Sequence, residues 1–232
     1  MESSKKGGFI KRTGIVGDVA IFLFVLIAGS LALSDLGNAF TIRPPLEEDV
    51  IETSCGDNNT DGKKILVVYD TEHGSTSTIA KTISDVLCEQ GAQIELLLAS
   101  NAVAEDLSAY DAVIVGSPIY YGPWLPGVMS FLNQNKDILS GMPVAYFVVS
   151  TTIKEDTLEE QETVLRAFVE PVLEKIPEIQ PVDNIGLFGG TFKFKELYPI
   201  EWLLMKLFKF PEGDWRDFDK VSAWAEEVID LL

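Results

Sequence analysis

Two short stretches of the chain combine residue types that could do chemistry. The first, Asp70–Thr76 (DTEHGST), sets hydroxyls at Thr71, Ser75 and Thr76 around Gly74, directly before a helical pattern. The first N–H groups of a helix have no carbonyl partner within it, and the helix dipole favours negative charge there, so hydroxyls beside a glycine turn form an anion cradle. The loop has neither the lysine of a triphosphate-binding loop nor the glycine triplet of a dinucleotide fingerprint, and it suits a single phosphate. An ordinary helix cap would use the same hydroxyls. His73, the only histidine, donates one hydrogen bond when neutral and would offset phosphate charge when protonated, or it is simply a polar surface residue. The second stretch, Gly116–Trp124 (GSPIYYGPW), crowds Tyr120, Tyr121 and Trp124 among residues that bend the chain. Aromatic rings on an exposed loop are costly unless they stack on something flat, and core packing is the alternative for any one of them. Together the loops suggest a ligand with one phosphate and one planar ring.

Both stretches must be positioned by regular elements. Lys64–Tyr69 (KILVVY), Ile94–Leu98, Ala112–Ser117, Val144–Ser150 and about Asn184–Phe188 read as apolar strands of the kind buried on both faces of a parallel sheet. Helical spacing connects them: Ile79, Ile83, Val86 and Leu87 before Gly91, then about Leu125–Asn135, Leu158–Lys175 and Asp217–Leu231. Five strands alternating with helices define an α/β, three-layer sandwich with a parallel sheet, in which ligands bind beyond the carboxyl ends of the strands. The phosphate-type loop follows the first strand, the aromatic loop the third, and Ser150–Lys154 (STTIK) the fourth.

The rest of the chain divides by composition. Of its 232 residues, 36 are acidic and 18 basic, a net charge of −18, which makes nucleic acid an improbable partner. The first 62 residues carry −4 and the remainder −14, so the acidity belongs mainly to the sheet domain. Ile15–Leu33 is an apolar run with one charge, Asp18, behind Lys5, Lys6, Lys11 and Arg12. Its length suits one transmembrane helix, expected within residues 1–34, and exceeds a usual signal-peptide core. The positive-inside rule keeps its N-terminus cytoplasmic and sends the domain across the membrane. Residues 35–62, with Pro44, Pro45 and the turn-rich CGDNNTDG from Cys55 to Gly62, read as an acidic linker, and the globular domain is expected over 63–232. Cys55 and Cys88 give no metal signature, and sequence leaves open whether they pair.

The domain from about Lys63 to the C-terminus resembles the flavodoxin-like proteins. The resemblance implies strand order 2-1-3-4-5 and flavin mononucleotide (FMN) as ligand. Carried over by position, Thr71, Glu72, His73, Gly74, Ser75 and Thr76 would surround the phosphate. Ser117, Pro118, Ile119, Tyr120, Tyr121 and Gly122 would border the ring, with Ser150, Thr151 and Thr152 in the third flavin loop. His73 stands where the family usually has a hydroxyl. An insertion at about 190–212 places Leu197, Ile200, Leu203, Leu204, Leu207 and Phe208 at helical spacing beside Lys206 and Lys209. Such a segment suits a membrane interface, a hydrophobic substrate near the flavin, or packing on its own domain. This insertion and the following Gly213–Val228 resemble the menaquinone-dependent protoporphyrinogen oxidase branch. That resemblance implies membrane lipid, a quinone and a porphyrinogen as partners, on the cytoplasmic side, whereas the charge bias points the domain outward. The other expectation is a tethered flavodoxin that shuttles electrons between redox partner proteins.

Overall fold

A computed structural model describes residues 47–56, 61–103, 105–119, 122, 124–197 and 199–232. The apolar run Ile15–Leu33 lies outside them, and among the described residues no helix is long and apolar enough to cross a membrane. The chain separates into two compact units: Ile42–Leu197 with Pro211–Leu232 holds the sheet, and Tyr198–Phe210 belongs to the other.

The elements run β1 (Thr53–Cys55), β2 (Lys64–Tyr69), α1 (Ser75–Glu89), β3 (Gln93–Leu98), α2 (Ala99–Ala102), β4 (Ala112–Pro118), α3 (Pro126–Gln134), α4 (Lys136–Leu139) and β5 (Val144–Ser150). After these come α5 (Leu158–Val164), a π-helical turn over Leu165–Val169, α6 (Glu170–Leu173), β6 (Gly186–Gly189), β7 (Thr191–Phe192), α7 (Pro199–Leu207), β8 (Gly213–Asp214) and α8 (Phe218–Val228). The main sheet has the order β1-β3-β2-β4-β5-β6. Its five parallel strands, β3-β2-β4-β5-β6, follow the expected 2-1-3-4-5 arrangement.

The sheet is full because its strands are apolar on both faces. In β2, Ile65 to Tyr69 are all fully buried. Leu66 and Val68 face one core with Val128, Phe131 and Leu132 of α3, while Ile65 and Val67 face the other with α1 and α8. In the second core the rings of Phe147, Phe188 and Trp224 meet at centroid separations of 5.7–6.3 Å. Gly116 stands opposite Phe147 in the β4–β5 register, and a Cβ there would run into the Phe147 ring.

The structure corrects four sequence expectations. The sheet has a sixth strand: β1 pairs antiparallel with β3, from Thr53 opposite Leu96 to Cys55 opposite Ile94, so the stretch read as a linker over 35–62 contributes to the domain. Side chains hold it there. The Tyr69 hydroxyl bonds both the N–H and the carbonyl of Ile51 (2.7 and 2.8 Å), Glu52 accepts from the Leu98 N–H, and Cys55 is disulfide-bonded to Cys88 of α1 with Cα atoms 6.2 Å apart. The fifth parallel strand starts at Gly186 rather than Asn184, because the Asn184 N–H turns back to the Val182 carbonyl and its own carbonyl accepts from the Trp224 indole. The expected helix over Leu158–Lys175 is interrupted by the π turn, just ahead of Pro171, which has no N–H to donate. Trp124, expected on an exposed loop, is 1% exposed and belongs to the core.

Candidate functional site

The phosphate-type loop joins β2 to α1. Gly74 takes φ +74°, and a Cβ there would lie 2.6 Å from a carboxylate oxygen of Asp49, so the turn depends on glycine twice over. Thr71 is buried, and its Oγ1 accepts from the Gly74 N–H at 3.0 Å, fixing the loop from within. Helix α1 begins without a side-chain cap. Thr76, in its first turn, is fully buried, yet its Oγ1 has no hydrogen-bond partner. A buried hydroxyl left without a partner costs roughly 1–3 kcal/mol, so one kept at an uncapped helix start fits an acceptor such as a phosphate oxygen. Ser75 and His73 are half-buried and Glu72 is buried; the structure places Thr71–Gly74 in the loop at the carboxyl edge of the sheet and Ser75 and Thr76 in the first turn of α1.

Asp70, just before the loop, was outside the expected set. Its carboxylate accepts from the N–H groups of Thr71 and of Gly127 in the first turn of α3, tying the phosphate loop to the neighbouring helix start. Burial raises the Asp70 pKa above the ordinary carboxylate value, against the lowering effect of those two N–H groups.

The second loop leaves β4. Ser117 is fully buried, and its hydroxyl donates to the Pro118 carbonyl and accepts from the Leu125 N–H, each at 3.0 Å. Its side chain therefore shapes the loop. Ile119 pairs with Trp124 in an antiparallel bridge and donates its N–H to Val149. Trp124 in turn packs edge-on against Tyr146 at 5.2 Å. These contacts pin both ends of a short excursion through Gly122 (φ 122°), within which Tyr120 and Tyr121 stand in sequence; both tyrosines lie outside the described residues.

The third loop follows β5. Ser150 is nearly buried, and its Oγ accepts from the Thr152 N–H at 3.1 Å, while Thr151 and Thr152 are half-exposed. Here sequence reasoning missed a neighbour: the base of the insertion. Its stem is a two-stranded ribbon of β7 with β8, Thr191 opposite Asp214 and Phe192 opposite Gly213. The Trp215 N–H donates to the Gly190 carbonyl, Gly190 donates to Ser150, and Lys154 lies over the Trp215 ring at 5.4 Å. On the phosphate side, a Cβ on Gly190 would lie 3.8 Å from the Ser75 hydroxyl. Arg216 donates from Nη1 to Thr78 Oγ1 in the first turn of α1 at 2.8 Å. The stem thus touches both the first and the third loops. No sequence motif announces this, because residues 190 and 216 are brought together only by the ribbon.

Among the described residues no cluster of three or more His, Cys, Asp or Glu could hold a metal ion. A parallel sheet with a glycine turn and an uncapped helix start after its first strand, and two further loops at the same edge, has the layout of a mononucleotide-binding domain. The chain belongs to the flavodoxin domain family, whose model matches residues 66–219, and the domain binds FMN. It is similar to the protoporphyrinogen IX dehydrogenase [quinone] of Escherichia coli strain K12, at 25% identity over 72% of this chain and 96% of that protein. The enzyme of the same name from Leishmania major is 29% identical over 70% of this chain and 69% of that one. Among solved structures, oxidised flavodoxin 2 from Bacillus cereus aligns over 73% of this chain and 99% of its own, with 24% identity and a TM-score of 0.48.

Proposed function

We propose that this chain is a membrane-anchored FMN-dependent oxidoreductase of the protoporphyrinogen oxidase type, passing electrons from a hydrophobic donor to a quinone. The observation that carries the reading is the apolar surface of the insertion. In α7 and the turn after it, Trp202, Leu203, Leu207 and Phe208 are 42%, 55%, 71% and 50% exposed. Lys206 and Lys209 lie beside them, and Lys206 sits over the Trp202 ring at 5.2 Å. An electron shuttle between soluble proteins has no use for such a surface, whereas an enzyme with lipid-soluble reactants does. The two relatives named as quinone-linked protoporphyrinogen dehydrogenases support the same reading.

The flavin supplies the redox chemistry, and the protein supplies placement. In this reading Thr71, Thr76 and the N–H groups of the α1 start hold the phosphate, and the pinned loop from Ile119 to Trp124 presents Tyr120 and Tyr121 to the ring. Thr151 and Thr152 close the third side. Glu72, His73, Ser75, Pro118 and Gly122 shape these loops, and Ser117 and Ser150 brace them through hydrogen bonds to their own backbone. The acidic surface favours the second reading, a tethered flavodoxin docking on basic redox proteins.

The apolar run Ile15–Leu33 serves as the anchor in this proposal, and the basic residues before it put the domain outside the cytoplasm. The Cys55–Cys88 disulfide supports that side, since such bonds persist in oxidising compartments. The test is the full chain in detergent, loaded with FMN and supplied with protoporphyrinogen and a menaquinone analogue. Quinone-dependent loss of porphyrinogen is the expected result. A yellow protein inert with both compounds, yet reduced by a flavodoxin reductase, would favour the shuttle instead.

A further inference from the structure

The phosphate cradle is poor in positive charge. Its loop holds no lysine or arginine, Glu72 is buried within it, and the Asp49 carboxylate stands against Gly74. Asp70 sits at its base. A phosphate monoester brings about −1.5 to −2 charges to such a site at neutral pH. Hydroxyls and N–H dipoles stabilise that charge, but they bring no formal positive charge to set against the Asp49 and Asp70 carboxylates.

Arg216 approaches from the exit strand of the insertion stem. Its Nε and Nη2 donate to the two oxygens of Asp214 at 2.8 and 2.5 Å, and Nη1 donates to Thr78 Oγ1 at 2.8 Å. Thr78 donates its own hydroxyl to the Ser75 carbonyl at 2.9 Å, so the guanidinium lies two hydrogen bonds from the first residue of α1. A guanidinium has five N–H donors in a rigid fork, and these three bonds leave two. The Asp214 pair fixes the orientation of the fork, and the ring of Phe218 lies 5.3 Å from its carbon. On the other strand of the stem, Gly190 comes close to the Ser75 hydroxyl. Thr76, with its unpartnered buried hydroxyl, lies between Ser75 and Thr78 in the same turn.

We propose that Arg216 is the cationic partner of the FMN phosphate, carried to the cradle by the stem of the insertion. The proposal rests on FMN binding at the Thr71–Thr76 loop and adds a residue that lies outside all three loops of this site. It makes the stem of the insertion part of the cofactor site, so that losing the stem costs flavin. Only a flavin that bears a phosphate should feel Arg216.

The experiment strips FMN from the full-length protein and titrates the apoprotein with FMN and with riboflavin, which lacks the phosphate, following quenching of flavin fluorescence. Arg216→Gln should weaken FMN about tenfold and leave riboflavin within about twofold, while Arg216→Lys, which keeps the charge but not the fork held by Asp214, should recover only part of the loss. The preference of the unaltered protein for FMN should shrink as salt rises. Equal losses for both flavins in either variant would assign Arg216 a structural role and overturn the proposal, as would unchanged FMN affinity in Arg216→Gln. An unaltered protein that binds the two flavins equally well would overturn the phosphate cradle itself, which separates that failure from the failure of Arg216.

Discussion

In the sheet domain Leu66, Val113, Phe131 and Phe147 are fully buried, whereas in the insertion Leu203, Leu207 and Phe208 leave half or more of their surface exposed. The charge differs in the same places: residues 189–210 carry Lys193, Lys195, Lys206 and Lys209 against Glu196 and Glu201, a net +2 within a chain of −18. Burying a large apolar side chain stabilises a fold by about 1.5–3 kcal/mol, so the sheet's hydrophobicity accounts for itself as stability. That of the insertion does not, and its basic rim suits an acidic or anionic surface such as a lipid headgroup layer. On the proposed reading, the same residue types serve the fold in one region and an outside contact in the other.

Substitution should separate the two uses most sharply. Phe147→Ala removes a ring that packs on Phe188 and Trp224 and should cost about 3–5 kcal/mol in denaturant unfolding. Leu203→Glu with Leu207→Glu should leave unfolding within about 0.5 kcal/mol of the parent but abolish sedimentation of a fragment of residues 47–232 with vesicles rich in anionic lipid. Destabilisation by the leucine pair comparable to that of Phe147→Ala would mean that the insertion helix is packed as core, and would erase the distinction.

The edge strand offers the next largest effect. The disulfide closes a segment of 33 residues, and on the chain-entropy model reducing it should lower stability by ~3–4 kcal/mol. Cys55→Ser with Cys88→Ser should show the same loss without reductant. In cells, the two cysteines should resist alkylation until a reductant is added. Free thiols in the native protein would place the domain in a reducing compartment and withdraw the main structural support for export.

Much of this was readable in the sequence because local signals and the final environment agree. The β-branched runs KILVVY and VAYFVVS are strands in the structure because they are apolar on both faces and covered on both, and the helical pattern after Gly74 is a helix that starts at that turn with no side-chain cap. What was not readable depended on distant partners. Thr53–Cys55 has no apolar run to mark it as a strand and is held by the Tyr69 hydroxyl, Glu52 and a disulfide. Trp124 looked like a stacking ring because its neighbours are loop formers, but its bridge to Ile119 turns it into the core. Asp70 and Arg216 were invisible as site residues, since each acts through a residue at least 50 positions away, Gly127 for the one and Thr78 for the other.

Asp70 gives the smallest and most specific test of how the cradle is tied to the sheet. Burial outweighs the two N–H groups and raises its folded-state pKa above the ordinary aspartate value of 3.8. The folded protein therefore binds this proton more tightly than the unfolded chain does. Its contribution to stability is fully present below pH 3.8 and is lost as pH rises through the raised pKa. Asp70→Asn removes the titration and keeps one acceptor oxygen of the two; the offset this causes is the same at every pH. Unfolding midpoints of the variant and the parent, compared from pH 3 to 8, should show the variant gaining relative to the parent as pH rises above about 4 and then levelling off. A relative loss over the same range would mean that the ionised carboxylate is favoured by its two N–H partners more than burial opposes it, and that the clasp between the phosphate loop and α3 works as a charged one.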